Sequence, residues 1–360
     1  MSSKSKRVFK KIVVWSGVFF FALAAGMLYW QLRNYSFMDI LRALWHIPHK
    51  NLVYAALACL SGYTVLSFYD YLALRYVHQS HKVGWWKWML AGMLGFAISN
   101  NAGTAVVSGG AIRFRLYTRW RIKAPDIVKM VVFSGFTYFL GAVSIMVAGY
   151  FMVPRDLFAA SVGANIGISA LFLFCAAALG AYYAGTLFFQ GKKIHIGDMD
   201  FRIPQFRMAL AQMMTGMLDS IMAALVLYFC LSHVIDIPFT TFVGLFVIAQ
   251  TAGIFSQVPG GIGVFESIIM LAMPNVDNPA VLFGSLLAFR VIYYLLPLIG
   301  MGGMFLFYEN TLRARMKRWL AEAEHAKWLE RTRAATAKVR EKISHLPHPH
   351  LPKFRKTADN

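Results

Sequence analysis

Long apolar segments leave this 360-residue chain few folds other than a bundle of membrane helices. Six of them reach the length of about 20 residues that a helix needs to cross the hydrocarbon core of a bilayer. They lie at 12–32, 51–74, 126–150, 163–189, 208–232 and 279–307. The first follows a basic stretch but is too long for the core of a signal peptide, so we interpret it as a retained helix. The sequence therefore predicts an all-α polytopic membrane protein.

Two further apolar stretches, about 86–112 and 240–273, contain residues that interrupt helices. In the second stretch these residues are Pro259, Gly260, Gly261 and Gly263. A carboxylate, Glu266, follows Gly263 by three positions. Proline and glycine disfavour helix interiors. Irregular backbone at membrane depth is tolerated only where protein buries it or where it lines a wet cavity. A carboxylate beside such an interruption therefore predicts a functional site.

The first of these stretches looks like a copy of the second. Ala102-Gly103 corresponds to Ala252-Gly253, and Gly109-Gly110 corresponds to Gly260-Gly261, with one residue inserted between the motifs. The copies end on opposite charges, Arg115 and Glu266. Paired interruptions in corresponding halves of a membrane protein are typical of transporter sites. We therefore predict that Gly109 and Gly110, like the second motif, form the backbone of a hairpin.

The distribution of lysine and arginine predicts how the two stretches meet the membrane. The N-terminal basic run should be cytoplasmic. If 86–112 crossed once, the run from Arg113 to Lys123 would lie outside, whereas a hairpin keeps that run inside. Treating 240–273 as a hairpin from the outer face also returns the C-terminus to the cytoplasm. The prediction is about six full transmembrane helices plus two re-entrant helical hairpins in an inverted repeat; eight full crossings are the alternative.

The net charge of +20 is concentrated in the N-terminus, the short loops and the last fifty residues. This pattern favours anionic lipid over nucleic acid as a partner, and no nucleic-acid motif is present. Residues 1–308 are predicted to form one transmembrane domain, with an interfacial helix at 33–50. Residues 309–360 are predicted to form a basic cytoplasmic tail that is partly helical and then disordered. No cysteine or histidine pattern predicts a metal or a cofactor.

Several motifs together resemble one known family. They are Tyr69 to Tyr76, Ile98 to Asn101, Ser108 to Tyr117, Pro259 to Glu266, and Arg290 with Tyr293 and Pro297. Over about residues 10–308 the chain resembles the transmembrane domain of bacterial lysyl-phosphatidylglycerol synthase/flippase proteins, and equally the stand-alone YbhN-like membrane proteins. In the two-part proteins a soluble domain makes the aminoacyl lipid and the membrane domain moves it. That soluble domain is missing from this sequence, so the resemblance implies lipid translocation in the bacterial inner membrane, without an enzymatic step.

Polar residues inside the apolar segments are the candidates for a lipid headgroup site, because a charge at a helix centre costs about 2.5–3.5 kcal/mol. The predicted set is Asn100, Asn101, Arg113, Arg115, Asp219, Gln250, Gln257, Glu266, Arg290 and Tyr294. Guanidinium groups and hairpin N–H groups suit a phosphate. Carboxylate, amide and aromatic groups suit a cationic aminoacyl headgroup.

Structural alternatives stay open for several of these residues. Asp219 or Glu266 could pair with Arg290 as a lock between helices. Asp70 could cap its helix or pair with Arg75. The basic run after residue 112 could serve topology alone.

The favoured function is an inner-membrane transporter that moves an anionic or aminoacylated phospholipid. One alternative is a scaffold or regulatory subunit that docks an envelope-lipid enzyme through the basic tail. Another is a carrier for an isoprenoid or glycolipid, and a homo-oligomer is a further hypothesis for its partners. An enzyme is disfavoured, because the sequence has no Ser-His-Asp order and no phosphate loop.

Overall fold

The computed structural model describes residues 47–102, 105–152, 162–196, 199–256, 258–273 and 279–308, together with Met38, Trp45 and Asn310. The helices in these ranges are α1 His49–Tyr76, α2 Trp85–Ala102, α3 Ala105–Arg119, α4 Ala124–Met152, α5 Val162–Phe188, α6 Phe206–Leu231, α7 Phe239–Phe255, α8 Val264–Leu271 and α9 Pro279–Tyr308. Two compact units divide the chain at Gly302 and Gly303. The described part of the second unit, 303–308 with Asn310, is helical.

Five of the helices are long and apolar enough to cross a membrane. They are α1, the part Ala124–Phe151 of α4, the part Ser169–Phe188 of α5, α6 and α9. These helices coincide with five of the six predicted crossings, which confirms the all-α membrane class. The predicted crossing at 12–32, most of the interfacial helix at 33–50 and nearly all of the tail at 309–360 lie outside the described residues.

The two interrupted stretches each form a pair of shorter helices. The pairs are α2 with α3 and α7 with α8, and none of the four helices is among the candidate spans. In the second pair a 3₁₀ turn at Pro259–Gly261 separates the helices. Gly260, Gly261 and Gly263 have φ values of 62°, 61° and 86°, in the left-handed region that glycine adopts without steric cost. The predicted interruption of the second stretch is confirmed.

The first pair departs from the prediction. Gly109 and Gly110 lie inside α3, so this glycine pair does not interrupt a helix. The expectation that this glycine pair breaks its helix was therefore wrong, and its place in the backbone of a re-entrant hairpin stays a prediction. Glycine lowers helix propensity by only about 1 kcal/mol, which tertiary packing overrides. A Cβ at Gly109 would lie 2.9 Å from the Gly95 carbonyl oxygen, so this glycine allows α2 and α3 to approach closely.

The two glycines give a matched test of this packing. Gly109→Ala should destabilise the chain by about 1–3 kcal/mol, because backbone of α2 must move. Gly110→Ala should be neutral or stabilising by up to about 1 kcal/mol, because its nearest neighbour, the Val131 side chain, lies at an ordinary 3.7 Å. Thermal unfolding of the purified variants in detergent measures the difference. Equal effects of both substitutions would contradict the close packing of α2 and α3.

A small β-hairpin joins α5 to α6 and was not predicted. Strands β1 Lys193–Ile196 and β2 Met199–Arg202 pair antiparallel, with Lys193 opposite Arg202. The Tyr76 hydroxyl donates to the Arg202 carbonyl oxygen at 2.8 Å and accepts from the Arg202 N–H at 2.9 Å. This side chain at the end of α1 therefore holds the edge of β2. Two strands of four residues are too short to give a clear alternating pattern in sequence.

Aromatic side chains pack α7, α8 and α9 together. The Phe265 ring stacks on Phe289 at 5.7 Å between centroids, and Phe289 stacks on Tyr293 at 5.4 Å. Phe246 of α7 contacts Phe265 and Phe289 edge-on. Residues Arg290–Leu295 of α9 form a π-helical segment. Such segments are rare and frequent at functional sites, and this one follows directly on the stack.

Candidate functional site

A small cleft of about 100 Å³ lies between the two helix pairs. The end of α2, the end of α7, the glycine turn and α9 all contribute to its wall. Its lining includes five residues predicted for the site, namely Asn100, Gln250, Gly260, Gly261 and Tyr294. Ser99, Gly253, Ile254, Val258 and Phe265 complete the lining. The structure therefore brings together, at one place, residues that are up to 195 positions apart in the chain.

One ion pair holds the glycine turn against α9. Arg290 Nε donates to Glu266 Oε1 at 2.6 Å, and Arg290 Nη1 donates to the Gly260 carbonyl oxygen at 2.5 Å. The other carboxylate oxygen, Glu266 Oε2, accepts from the Gly263 N–H at 2.7 Å. Glu266 therefore caps the start of α8 while it pairs with α9. The proposed alternative of a lock between Glu266 and Arg290 is confirmed as a contact.

One nitrogen of the Arg290 guanidinium has no hydrogen-bond partner in the described structure. This nitrogen is Nη2, and it is buried. The guanidinium also lies 4.7 Å from the Tyr294 ring centroid and 5.5 Å from that of Phe265, both of which line the cleft. A buried guanidinium donor without a partner is costly. It is also the group in this region best suited to bind an anionic oxygen.

A second buried ion pair joins α1 to α3. Arg113 Nε donates to both Asp70 oxygens, at 2.9 and 3.1 Å, and Nη2 donates to Oδ2 at 3.0 Å. The Tyr117 hydroxyl donates to Oδ1 at 3.2 Å, and the Phe96 ring lies 4.5 Å from the guanidinium. The suggested pairing of Asp70 with Arg75 was wrong. Because a carboxylate already occupies Arg113, its role in phosphate binding stays a prediction.

Asp219 is buried in α6 with an incomplete set of partners. Only 5% of the residue is exposed, and the Tyr69 hydroxyl donates to its Oδ2 at 2.9 Å. Its Oδ1 has no hydrogen-bond partner among the described residues. The suggested lock between Asp219 and Arg290 was wrong, since Arg290 pairs with Glu266 instead. Asp219 does not line the cleft, and its Oδ1 is a buried acceptor without a partner in the described structure.

More buried polar atoms surround this part of the bundle without partners. The Tyr138 hydroxyl lies near the Thr251 hydroxyl, and neither makes a hydrogen bond in the described structure. Gln250 Oε1, at the cleft, is also unpartnered there. Most buried polar groups in native proteins are hydrogen-bonded. A cluster of buried polar atoms without hydrogen-bond partners therefore indicates a ligand or water site. Sequence analysis missed Tyr69, Tyr138 and Thr251, because no sequence spacing links these three helices.

The remaining predicted residues are distributed differently. Asn101 Nδ2 donates to the Ala97 carbonyl oxygen at 2.8 Å and to that of Tyr294 at 3.2 Å, which ties α2 to the π-helical segment. Arg115 is exposed on α3 and does not line the cleft. Gln257 lies outside the described residues, and Pro259 begins the 3₁₀ turn. The described residues contain no group of three or more histidine, cysteine or acidic side chains that could hold a metal ion.

Most of the chain matches one protein-family model. The family is described as the lysylphosphatidylglycerol synthase TM region, and the match covers residues 14–300. Every residue that lines the cleft lies within that range.

Two relatives are similar over most of their own length. The uncharacterized protein slr0712 of Synechocystis is 32% identical over 284 residues, which is 78% of this chain and 87% of the relative. The inner membrane protein YbhN of Escherichia coli is 25% identical over 299 residues, covering 81% of this chain and 90% of YbhN. Phosphatidylglycerol lysyltransferase of Staphylococcus xylosus is 41% identical over 80 residues, which is only 9% of that protein. Similarity to the lysyltransferase is therefore confined to a short segment.

Proposed function

Because the chain belongs to the lysylphosphatidylglycerol synthase transmembrane-region family, we propose that it moves an anionic or aminoacylated phospholipid between the leaflets of the inner membrane. One observation carries the proposal: a buried guanidinium donor of Arg290 has no hydrogen-bond partner in the described structure, beside a cleft between two interrupted helix pairs. The inner-membrane location of the relative YbhN supports the proposed location. The proposal is transport without lipid synthesis.

The proposed topology has α2–α3 and α7–α8 as re-entrant hairpins that enter from opposite faces. Helix α8 has 8 residues and rises about 12 Å, well short of the roughly 30 Å hydrocarbon core. The basic residues at the end of α3 favour a cytoplasmic return for the first hairpin. With both termini in the cytoplasm, the two pairs form the inverted repeat that is typical of transporter folds.

The proposed binding mode divides the headgroup between two charges. A phosphate oxygen accepts from Arg290 Nη2, and the free Asp219 oxygen accepts from an aminoacyl ammonium group. The acyl chains remain in the lipid while the headgroup moves. At about 100 Å³ the cleft is smaller than the roughly 300 Å³ of an ordinary ligand pocket. The described conformation is therefore a closed one in this proposal, and transport requires the two hairpins to separate.

The contacts of Arg290 suggest how a headgroup could open the cleft. The same guanidinium binds Glu266 of α8 and the Gly260 carbonyl oxygen of the turn. A phosphate that competes for Arg290 weakens the contact between α9 and the turn. Binding then favours the open state because the ligand has a differential affinity for it, which is the condition for any ligand-driven change.

Reconstitution into liposomes tests the proposed function. Phosphatidylglycerol, lysyl-phosphatidylglycerol and phosphatidylcholine, each with a reporter on the headgroup, are placed in the inner leaflet, and their exposure is followed with an impermeant quencher. We expect exposure of at least one of the first two lipids to exceed that in protein-free liposomes at least tenfold. Equal rates with and without protein for all three lipids would refute the proposal.

An Asp219→Asn variant should separate the two halves of the headgroup site. Transport of lysyl-phosphatidylglycerol is expected to fall at least about tenfold, because an ion pair with the ammonium group becomes a neutral contact. Transport of phosphatidylglycerol, which has no ammonium group, should change less than about twofold. Tyr69→Phe is the matched control, since it removes the hydrogen bond to Asp219 but keeps the carboxylate. Equal losses for both lipids would argue against an ammonium site at Asp219.

A further inference from the structure

A second and larger cavity lies apart from the cleft, where three candidate spans end. It has a volume of about 590 Å³ and is bordered by the segments after Tyr76 of α1, after Phe188 of α5 and before Phe206 of α6. Its polar lining comprises Arg75, His78, Ser80, Gln190, Arg202 and Gln205. Because these positions are at the ends of helices long enough to cross a membrane, we expect the cavity to lie at the boundary between lipid and water.

The lining of this cavity is positively charged. Arg75 and Arg202 contribute guanidinium groups, and no carboxylate is among the described residues that line it. Asp126 and Asp200 line a smaller adjacent cavity, to which His78 and Arg202 also contribute. Asp200 there pairs with His195, and Asp126 accepts a long 3.5 Å hydrogen bond from Gln79. Arg75 lines the larger cavity and not the smaller one, and the described lining of the larger cavity contains two arginines and no carboxylate.

The two arginines are held by well-defined backbone contacts. Tyr76 binds both backbone polar groups of Arg202, so β2 is fixed to the end of α1, one residue from Arg75. The ladder continues beyond the strands, since Gly191 N–H donates to the Ile203 carbonyl oxygen at 2.9 Å. The cavity is thus built from the joined ends of α1 and the β-hairpin. A site of this kind requires such a rigid support.

His78 occupies a backbone position that ordinarily favours glycine. Its φ is 58°, and its N–H donates to the Arg75 carbonyl oxygen while the Gln79 N–H donates to that of Leu74. These two bonds define the usual C-terminal motif of a helix, in which the left-handed residue is most often glycine. A histidine there accepts backbone strain and places an imidazole at the cavity. Strained residues of this kind cluster at ligand sites.

We propose that this cavity binds the phosphate group of a net anionic compound, as a phosphomonoester or a phosphodiester, and disfavours a zwitterionic headgroup whose cationic group the two arginines would repel. Two guanidinium groups can bind phosphate oxygens with paired hydrogen bonds, and the imidazole, hydroxyl and amide groups of the lining add neutral donors. The source of the phosphate is either the headgroup of an anionic lipid or a free phosphorylated compound in the adjacent water. The site is separate from the transport cleft and is tested by equilibrium binding, so either proposal can fail without the other.

Calorimetric titration of the full-length chain in detergent provides the test. The probes are glycerol 3-phosphate, short-chain phosphatidylglycerol below its micelle concentration, and short-chain phosphatidylcholine. We expect saturable binding of at least one of the first two. Arg75→Gln and Arg202→Gln should each weaken it at least about tenfold, as expected for a hydrogen bond to a charged group. Arg207→Gln, an equal charge change at an exposed position outside the cavity, should change affinity less than about twofold.

The two anionic probes separate the sources of phosphate. Glycerol 3-phosphate binding at least as tightly as the lipid identifies a free compound, and preference for phosphatidylglycerol identifies a headgroup. Both outcomes support the site. No saturable binding of either probe, equal binding of phosphatidylcholine, or an equal loss in Arg207→Gln would overturn it.

A His78→Gly variant tests whether the imidazole contributes to phosphate binding or whether His78 has only a structural role. The substitution relieves the left-handed backbone, so the midpoint of thermal unfolding should stay the same or rise. Affinity for the phosphate probe should nevertheless fall at least about threefold, because the imidazole is lost. A variant that binds the probe as tightly as the parent chain would remove His78 from the site.

Discussion

Asp70→Asn is expected to destabilise the chain by about 3–5 kcal/mol, the usual effect of removing one partner from a buried ion pair. Asp70 is fully buried and Arg113 is 4% exposed. Three hydrogen bonds from the guanidinium and one from Tyr117 converge on the carboxylate. Asparagine keeps the shape but leaves the guanidinium without a counter-charge in a site that water does not reach. The free energy of unfolding in a denaturing detergent measures the effect.

A double variant shows whether the cost comes from the unpaired charge. Asp70→Asn combined with Arg113→Gln removes both charges and leaves two neutral groups that can hydrogen-bond. We expect it to be more stable than Asp70→Asn alone by at least about 2 kcal/mol, since no buried charge is left unpaired. Asp200→Asn is the exposed counterpart, and it should change stability by less than about 1 kcal/mol. A loss below about 1 kcal/mol in Asp70→Asn would show that the pair does not stabilise the α1–α3 contact.

Arg290→Gln is expected to lower lipid transport at least about a hundredfold. The substitution removes the only donor that the proposal assigns to the headgroup phosphate, and a charged hydrogen bond in a buried site is strong. It also leaves the Glu266 carboxylate without its partner, so a loss of activity alone could reflect an unstable chain. The initial rate of headgroup exposure in liposomes is the measurement, with Arg207→Gln as the control outside the cleft.

The combination Glu266→Gln with Arg290→Gln separates stability from transport. The two amides can still bond to one another and to the Gly260 carbonyl oxygen, so most of the lost stability should return. Transport should remain at the level of Arg290→Gln, because the phosphate donor is still absent. Recovery of transport in the double variant would mean that Arg290 is only a lock between α9 and the turn, and the headgroup role would have to be abandoned.

Local sequence was a reliable guide to the spans and to one of the two interruptions. A run of apolar residues predicts a membrane helix whatever its neighbours are. The interruption at Gly260 and Gly261 was predicted because proline and glycine disfavour helix interiors. The same argument failed at Gly109 and Gly110, where the glycines are needed for contact between two helices. Both motifs contain a glycine pair, but the second also contains Pro259 and Gly263, whereas in the first the pair lies against a neighbouring helix.

The motifs also predicted the family, and the match over residues 14–300 confirmed it. The sequence also predicted which buried residues carry charge, because an ionisable side chain within an apolar run is easily recognised. The ion-pair partners of these residues could not be predicted from the sequence. For Asp70 a helix cap, a pair with Arg75 of the same helix and a site role were left open, and it binds Arg113 of another helix. For Asp219 a pair with Arg290 and a site role were both left open, and its carboxylate accepts a hydrogen bond from Tyr69.

Hydropathy and backbone preference are properties of short stretches, so the chain alone specified a helical membrane protein with an interrupted, charge-bearing segment near Glu266. Ion pairing depends on distances between side chains that are far apart in the chain, and several carboxylates and guanidinium groups were equally plausible partners. The packing of the helices determined which of these carboxylates and guanidinium groups form pairs. This packing left Arg290 Nη2 and Asp219 Oδ1 without partners in the described structure, and the proposed headgroup site depends on these two atoms.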